Sequence, residues 1–463
     1  MKYQLPFGTF GIRGAANAAP FTTHYLKTLG TALELWLDHK NLPKKILLGA
    51  DPRSSSPRIS HELMAGFSQA SHIFDAGIIP TPGVVALLAK HAHFGCGIII
   101  TASHNPAHDN GIKIVLQQGH ELTKTDEHII QSFFDACLEQ SLQPSLLGFT
   151  YTPYPEAAAE YVTTLKKHFA PRFLSGLSIG LDCANGAASA FAPALFEHLG
   201  ARVVAINTSP NGKNINQDCG SNHPSALRAL VLEHKLTCGF AFDGDGDRVI
   251  AIDAQGHLKT GDDLLFIIST NPTRKRQGPV VGTTMSNSGL RKALAHQTRT
   301  FAAANVGERD VIKTMNENGS NLGGEPSGHI IAREYLMCSD GIFAALATLD
   351  AALMTNNIEL ASFTHQPQAI KSIRVASKIP LETPEIHALL TKYQALVAPN
   401  MMLVRYSGTE PLIRILLEAE THEQANQQAT NISNELAAAI NNLAEKSTNF
   451  TAPKSSDQAH QDA

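Results

Sequence analysis

Three carboxylates at alternate positions, Asp243, Asp245 and Asp247, are separated by Gly244 and Gly246, follow the apolar run 239–242 and are closed by Arg248. Acids this close repel one another unless a cation sits among them, and the glycines let the backbone fold all three onto one ion. A donor set made only of oxygen, with positions left open for water or phosphate, suits magnesium. A calcium loop of the EF-hand type is excluded: Arg248 stands where that loop needs glycine, and Ala254 where it needs a bidentate glutamate. A second stretch, Thr101-Ala102-Ser103-His104-Asn105-Pro106, offers a hydroxyl at the mouth of a loop. The Gly-x-Ser-x-Gly setting is absent. In an extended segment His104 projects to the side opposite Ser103, so no serine–histidine relay is implied. A phosphoryl group on Ser103 would bring roughly two negative charges at pH 7, and a metal on the three aspartates, with Arg248, is the matching counter-field. Lys113 lies just beyond: on an exposed surface it is an ordinary lysine, whereas desolvation in a closed cleft would lower its amine toward general-base work.

Strands must hold both loops. The run 97–100 is rich in β-branched residues and breaks into a polar segment closed by Pro106, the pattern of a buried strand ending in a loop, and 239–242 repeats it. Leu26, Leu29, Leu33 and Leu37 recur at helical spacing over 23–39, with Thr22 or Thr23 available as a cap. Residues 46–48 then run into Gly49-Ala50-Asp51-Pro52-Arg53, again strand into polar loop. Further helices are expected over 126–140, between 152 and 169, over 226–233 and from 423 to about 446. This alternation predicts layered α/β domains, and 463 residues exceed what one hydrophobic core organises.

With Asp109-Asn110-Gly111-Ile112-Lys113 added, the serine and aspartate stretches resemble the α-D-phosphohexomutase superfamily. Two more loops carry the likeness: Gly323-Gly324-Glu325-Pro326-Ser327-Gly328-His329 resembles its sugar-binding loop, and Arg405-Tyr406-Ser407-Gly408-Thr409-Glu410-Pro411 its phosphate-binding loop. The resemblance implies a four-domain architecture: three similar α/β sandwich domains over 1–150, 151–255 and 256–368, a smaller α+β domain over 369–446, and a disordered tail over 447–463. It implies that Ser103, Lys113, Arg248, Arg13 and His104 are catalytic, and that Ser103 joins Asp243, Asp245 and Asp247 on Mg2+. Glu325, Ser327, His329, Arg309, Arg405, Ser407, Gly408, Thr409 and Arg414 are then the substrate contacts. Asn214-Ile215-Asn216, Cys219-Gly220-Ser221-Asn222-His223-Pro224 and Asn305-Val306-Gly307-Glu308-Arg309 are similar to the branch acting on glucosamine phosphate rather than the mannose or glucose branches, which stand as the alternative. Phosphorylation of Ser103 and a sugar bisphosphate intermediate follow from the same resemblance. Phe10, Pro326 and Ser339 depart from the branch, which usually has aspartate, glutamine and glycine there. Those departures leave a non-catalytic sugar-phosphate sensor as a rival. A haloacid-dehalogenase-type phosphatase is another, although its motif continues with Thr or Ser where Asp247 stands.

Composition trims the remaining classes. A net charge of −4 offers no basic surface for nucleic acid, so anion affinity must be local. No apolar run approaches the roughly 18 residues a membrane helix needs, and 1–6 lack a signal-peptide pattern. Six scattered cysteines without C-x-x-C spacing read as reduced thiols of a cytoplasmic protein. The expected partner is a small hexosamine phosphate, with no membrane contact and a homodimer left open.

Overall fold

The computed structural model describes residues 3–8, 10–142, 148–274, 277–375, 378–397, 401–406 and 412–449. They form two compact units, Met1–Ser286 with Leu290–Phe363, and Asn287–Gly289 with Thr364–Ala463.

The first unit holds three sheets, each with a loop of the candidate site at the end of a buried strand. In the seven-stranded sheet, Cys96–Ile100 runs parallel to Lys45–Ala50 on one side and antiparallel to Asp109–Val115 on the other. Every residue of Cys96–Ile100 is buried, hence its unbroken apolar run. The chain leaves this strand at Ile100, makes the serine loop and returns at Asp109, with Lys113 opposite Ile99. In the five-stranded sheet, Cys238–Phe242 runs parallel to Ser178–Asp182 and turns back as Val249–Asp253. Phe242 pairs with Val249, so the aspartate loop is the tip of that hairpin. In the four-stranded sheet, Leu322–Gly324 turns back as Ile330–Ala332, placing residues 325–329 at a third tip. One buried apolar cluster threads this unit from Leu47 and Val85 through Phe240 and Leu265 to Leu346.

The helix Thr23–His39 forms as expected, but the side chain of Thr22 caps nothing and Thr23 Oγ1 donates to Glu62 Oε1 instead (2.9 Å). Lys124–Leu138 starts earlier than 126 because Thr123 and Asp126 form a reciprocal capping box. The helix expected between 152 and 169 is shorter. Pro153 and Pro155 keep the backbone extended, so Thr150–Pro153 pairs with His72–Ile78 at the edge of the first sheet, and the helix spans only Ala157–Lys166.

The second unit is an antiparallel sheet, Gln368–Arg374, Leu412–Glu418 and Met402–Tyr406 in that spatial order, with helices Pro384–Val397 and His422–Asn449. The last helix continues to Asn449, into the segment expected as tail; 450–463 lie outside the described residues. Among the described residues no helix is long and apolar enough to cross a membrane.

Candidate active site

Ser103 is fully buried and sits at φ +53°, a left-handed conformation that costs a non-glycine residue about 1 kcal/mol or more. Its Oγ donates to Asp243 Oδ2 at 2.7 Å, a contact between residues 140 apart in the chain. The turn also corrects the expectation for His104. The segment is not extended, and the imidazole Nδ1 lies 3.3 Å from Ser103 Oγ. Burial, then the neighbouring Arg248 and Arg13, lower the His104 pKa to about 3, so the ring is neutral at physiological pH.

Asp243, Asp245 and Asp247 are all buried, and one oxygen from each lies within 4.8 Å of the others. Burial and the charges of Asp247 and Asp245 push Asp243 well above the usual carboxylate range. Burial acts upward on Asp247 too, but Lys113 and His329 outweigh it and hold that carboxyl well below. Lys113 Nζ donates to Asp245 Oδ2 (2.6 Å) and Asp247 Oδ2 (2.7 Å), and Thr81 Oγ1 also donates to Asp245 Oδ2 (2.5 Å). The other oxygens, Asp245 Oδ1 and Asp247 Oδ1, are buried and accept no hydrogen bond. Orphaned anionic oxygens are costly to bury, and with the Asp243 carboxylate and the Ser103 hydroxyl beside them they fit a hard divalent cation.

Lys113 departs from expectation. Burial acts to lower its pKa, but the carboxylates of Asp245 and Asp247 outweigh it and raise it. The ammonium also lies 4.5 Å from the centroid of the Phe10 ring, which gives that unusual residue a physical role as a cation–π cover. Arg13 is half-buried, and Asp245, Asp247, Asp243 and Arg248 all act on its charge. Arg248 donates its backbone N–H to Asp243 Oδ1 (3.2 Å).

At the third hairpin tip, Glu325 Oε1 accepts the Gly307 N–H (3.0 Å), and His329 sits amid carboxylates, 3.5 Å from Asp247, Glu308 and Glu325. Burial acts to lower the His329 pKa, but Glu308 and Asp247 outweigh it and raise it well above the ordinary value. Gly328 adopts φ +88°, and a Cβ there would lie 1.9 Å from Val249 O, so only glycine lets this tip lie on the strand leaving the aspartate loop. Ser327 is exposed at the apex. Arg309 does not stand free: its guanidinium pairs with Glu127 (3.0 Å) and Glu121 (3.4 Å). In the second unit, Arg405 and Arg414 are direct partners on adjacent antiparallel strands. Like charges directly opposite are unfavourable unless an anion joins them. Ser407, Gly408 and Thr409 lie outside the described residues.

Four family models match in chain order: phosphoglucomutase/phosphomannomutase alpha/beta/alpha domains I (residues 4–140), II (159–256) and III (260–368), and the C-terminal domain (370–435). The chain belongs to the phosphoglucomutase/phosphomannomutase family. It is thus an enzyme of the intramolecular phosphotransferase class, an isomerase, with the four-domain α/β architecture. It is 39% identical to a protein from Aeromonas salmonicida named phosphoglucosamine mutase, the match covering 94% of this chain and 99% of the relative. A Streptococcus gordonii protein of the same name is 38% identical, covering 94% and 98%. Among solved structures, a phosphoglucomutase/phosphomannomutase family protein from Burkholderia thailandensis has the same fold (TM-score 0.76, 22% identity, 95% of this chain and 98% of that one). An Aspergillus fumigatus N-acetylphosphoglucosamine mutase in complex with GlcNAc-6P and magnesium shares it too (TM-score 0.64, 16% identity, 95% and 96%).

Within this phosphoglucomutase/phosphomannomutase site, sequence reasoning missed Thr81, Glu121 and Glu308. Glu308 Oε1 accepts the Ser339 N–H at 2.9 Å, so the departure at Ser339 leaves a backbone contact intact. Thr81 carries no motif, only its place after Pro80 at a helix start, and Glu308 stands in the stretch 305–309 beside Arg309 with no spacing of its own that signals a role.

Proposed function

We propose that this enzyme interconverts glucosamine 6-phosphate and glucosamine 1-phosphate through a phosphorylated Ser103 and a sugar bisphosphate. The observation that carries the reading is Ser103 Oγ at 2.7 Å from Asp243 inside the buried aspartate trio. It is supported by relatives at 36–39% identity over most of the chain that are named phosphoglucosamine mutase.

PhosphoSer103 gives its phosphoryl group to the free hydroxyl of the hexosamine monophosphate: the Ser Oγ–P bond breaks, a sugar O–P bond forms and the bisphosphate results. The intermediate turns end for end, and Ser103 takes back the other phosphate. In that return half the Ser103 hydroxyl loses its proton along the hydrogen bond it already donates to Asp243 Oδ2 (2.7 Å); His104 Nδ1 lies 3.3 Å away, but its lowered pKa makes it a weak proton acceptor. Lys113, held as the ammonium by Asp245 and Asp247, can take the sugar hydroxyl proton only after parting from them and giving up a proton of its own. A Mg2+ on Asp243, Asp245, Asp247 and Ser103 would neutralise charge on the transferring group. Arg248 and Arg13 supply fixed positive charge beside it. Glu325, Ser327 and His329 are proposed to accept the sugar in both orientations; Arg405 and Arg414, paired across adjacent strands of the second unit, are proposed to bind a phosphate. We place the enzyme in the cytoplasm, in keeping with six free cysteines.

Ser103→Ala should abolish both turnover and the phosphate found by intact-mass analysis; substantial activity in that variant would end the proposal. Side-by-side assays on glucosamine, glucose and mannose 6-phosphates test the substrate, and a preference for either neutral sugar would move the chain to another branch.

A further inference from the structure

The serine loop is gripped from behind by a side chain to which no step of the reaction assigns a part. Arg53 follows the strand Lys45–Ala50, and its side chain is wholly buried. A guanidinium has five N–H donors in a fixed fork. Here each one has an acceptor. Nε donates to Asp51 Oδ2 (2.9 Å), Nη1 to the carbonyls of Pro106 and Asp109 (3.0 Å for the latter), and Nη2 to those of Ser103 (3.0 Å) and Asn105 (2.8 Å). Four of the five bonds fall on backbone carbonyls between Ser103 and the start of the returning strand. Asp51 is itself tied to the loop, because Thr101 Oγ1 donates to it (2.6 Å) while accepting the Ser103 N–H (2.8 Å).

A second grip comes from the loop between the strand Arg202–Ile206 and the helix Ser225–Glu233. Asn216 Nδ2 donates to the Ser103 carbonyl (2.8 Å) and the Asn105 carbonyl (3.0 Å), the same two that receive Nη2 of Arg53. Each of those carbonyls thus has both lone pairs engaged, once from either side. The packing is close: a Cβ on Gly244 would meet Ser103 O at 2.6 Å and Asn216 Nδ2 at 2.8 Å. Ser103 holds φ +53°, which an isolated loop would relax. Relaxation would swing Oγ away from Asp243.

We propose that Arg53 and Asn216 are positioning residues that clamp the Ser103 carbonyl from two sides and so hold the phosphoryl-carrying hydroxyl in its left-handed, in-line geometry. This rests on the reading of Ser103 as the phosphoryl carrier. Both act through the backbone of the nucleophile, because their side-chain donors are taken up by its loop carbonyls. Misplacing a reacting atom by about 1 Å costs on the order of 100-fold in rate while leaving the binding of the rest of the substrate intact.

The experiment compares Arg53→Lys, Arg53→Ala and Asn216→Ala with the unaltered enzyme and Ser103→Ala. It measures kcat and KM for glucosamine 6-phosphate, the rate at which glucose 1,6-bisphosphate phosphorylates Ser103 by intact mass, and thermal unfolding. The expected result is a kcat lower by about 100-fold in Arg53→Lys and Arg53→Ala with KM held. Slower phosphorylation of Ser103 should accompany it, and added guanidinium, but not sodium, should restore part of the rate in Arg53→Ala. Asn216→Ala should move the same way by a smaller factor, and it decides the matter if the Arg53 variants do not fold. An unchanged kcat in Asn216→Ala or Arg53→Lys would overturn the inference, as would a loss that tracks unfolding and is not rescued. If instead the unaltered enzyme takes no phosphate on Ser103 and Ser103→Ala turns over normally, the proposed function fails, not the clamp alone.

Discussion

The serine loop and the loop carrying Glu325 and His329 are both hairpin tips of buried strands, yet their polar atoms are treated in opposite ways. Around Ser103 the carbonyls of residues 103 and 105 accept two hydrogen bonds each, and Arg53 spends every donor. Around His329 charged groups face one another at 3.5 Å, the far limit of hydrogen bonding, and Glu121, Glu308 and His329 keep buried atoms that make no hydrogen bond. A fully satisfied network specifies one geometry, whereas a loosely satisfied one can regroup around an incoming hydroxyl. A phosphoryl carrier needs the first property. A site that must accept one sugar in two orientations needs the second.

The largest effect is expected in the aspartate trio that the serine loop holds its hydroxyl against. Asp245→Asn removes a charge from the trio and should lower kcat by about 100- to 1,000-fold, read by steady-state assay beside Mg2+ titration calorimetry. A change confined to KM would show that the trio binds rather than activates. Next comes the adaptable end. His329→Gln should raise KM by about tenfold, the worth of a charge-assisted hydrogen bond, with a smaller effect on kcat. If kcat alone fell, the two loops would not differ as argued.

Smaller again is the effect of Glu121, whose carboxyl is pushed up to about 8 by burial and by Glu308. The folded chain keeps that proton while the unfolded chain releases it near 4.5, so this group subtracts stability as pH rises between those values. The slope is at most about 1.4 kcal/mol per pH unit. Glu121→Gln should flatten that limb in denaturant titrations run from pH 5 to 8; an unaltered slope would place the proton elsewhere. The least effect belongs to Phe10→Leu, which uncovers the Lys113 ammonium at a cost of about 1 kcal/mol, measured by thermal unfolding.

Both candidate loops were legible because each follows an apolar run that reads as a buried strand, and because alternating aspartates call for a cation. What stayed hidden depended on backbone angle and on partners far along the chain. The alternation rule sent His104 away from Ser103, but that rule holds only in extended chain, and Ser103 is left-handed. Desolvation alone pointed to a lowered Lys113, and burial does act that way; two carboxylates more than 130 positions away reverse it. The prolines at 153 and 155 were visible, and should have shortened the expected helix.

The edge strand Thr150–Pro153 bears on how the chain is made. It completes a sheet whose other strands all lie earlier, so a nascent polypeptide can finish that sheet only after about fifty further residues beyond the serine loop have left the ribosome. Asp243 emerges later still. At about 5 to 20 residues per second the hydroxyl waits several seconds or more for its acids, so an N-terminal fragment should not label with phosphate however well it folds.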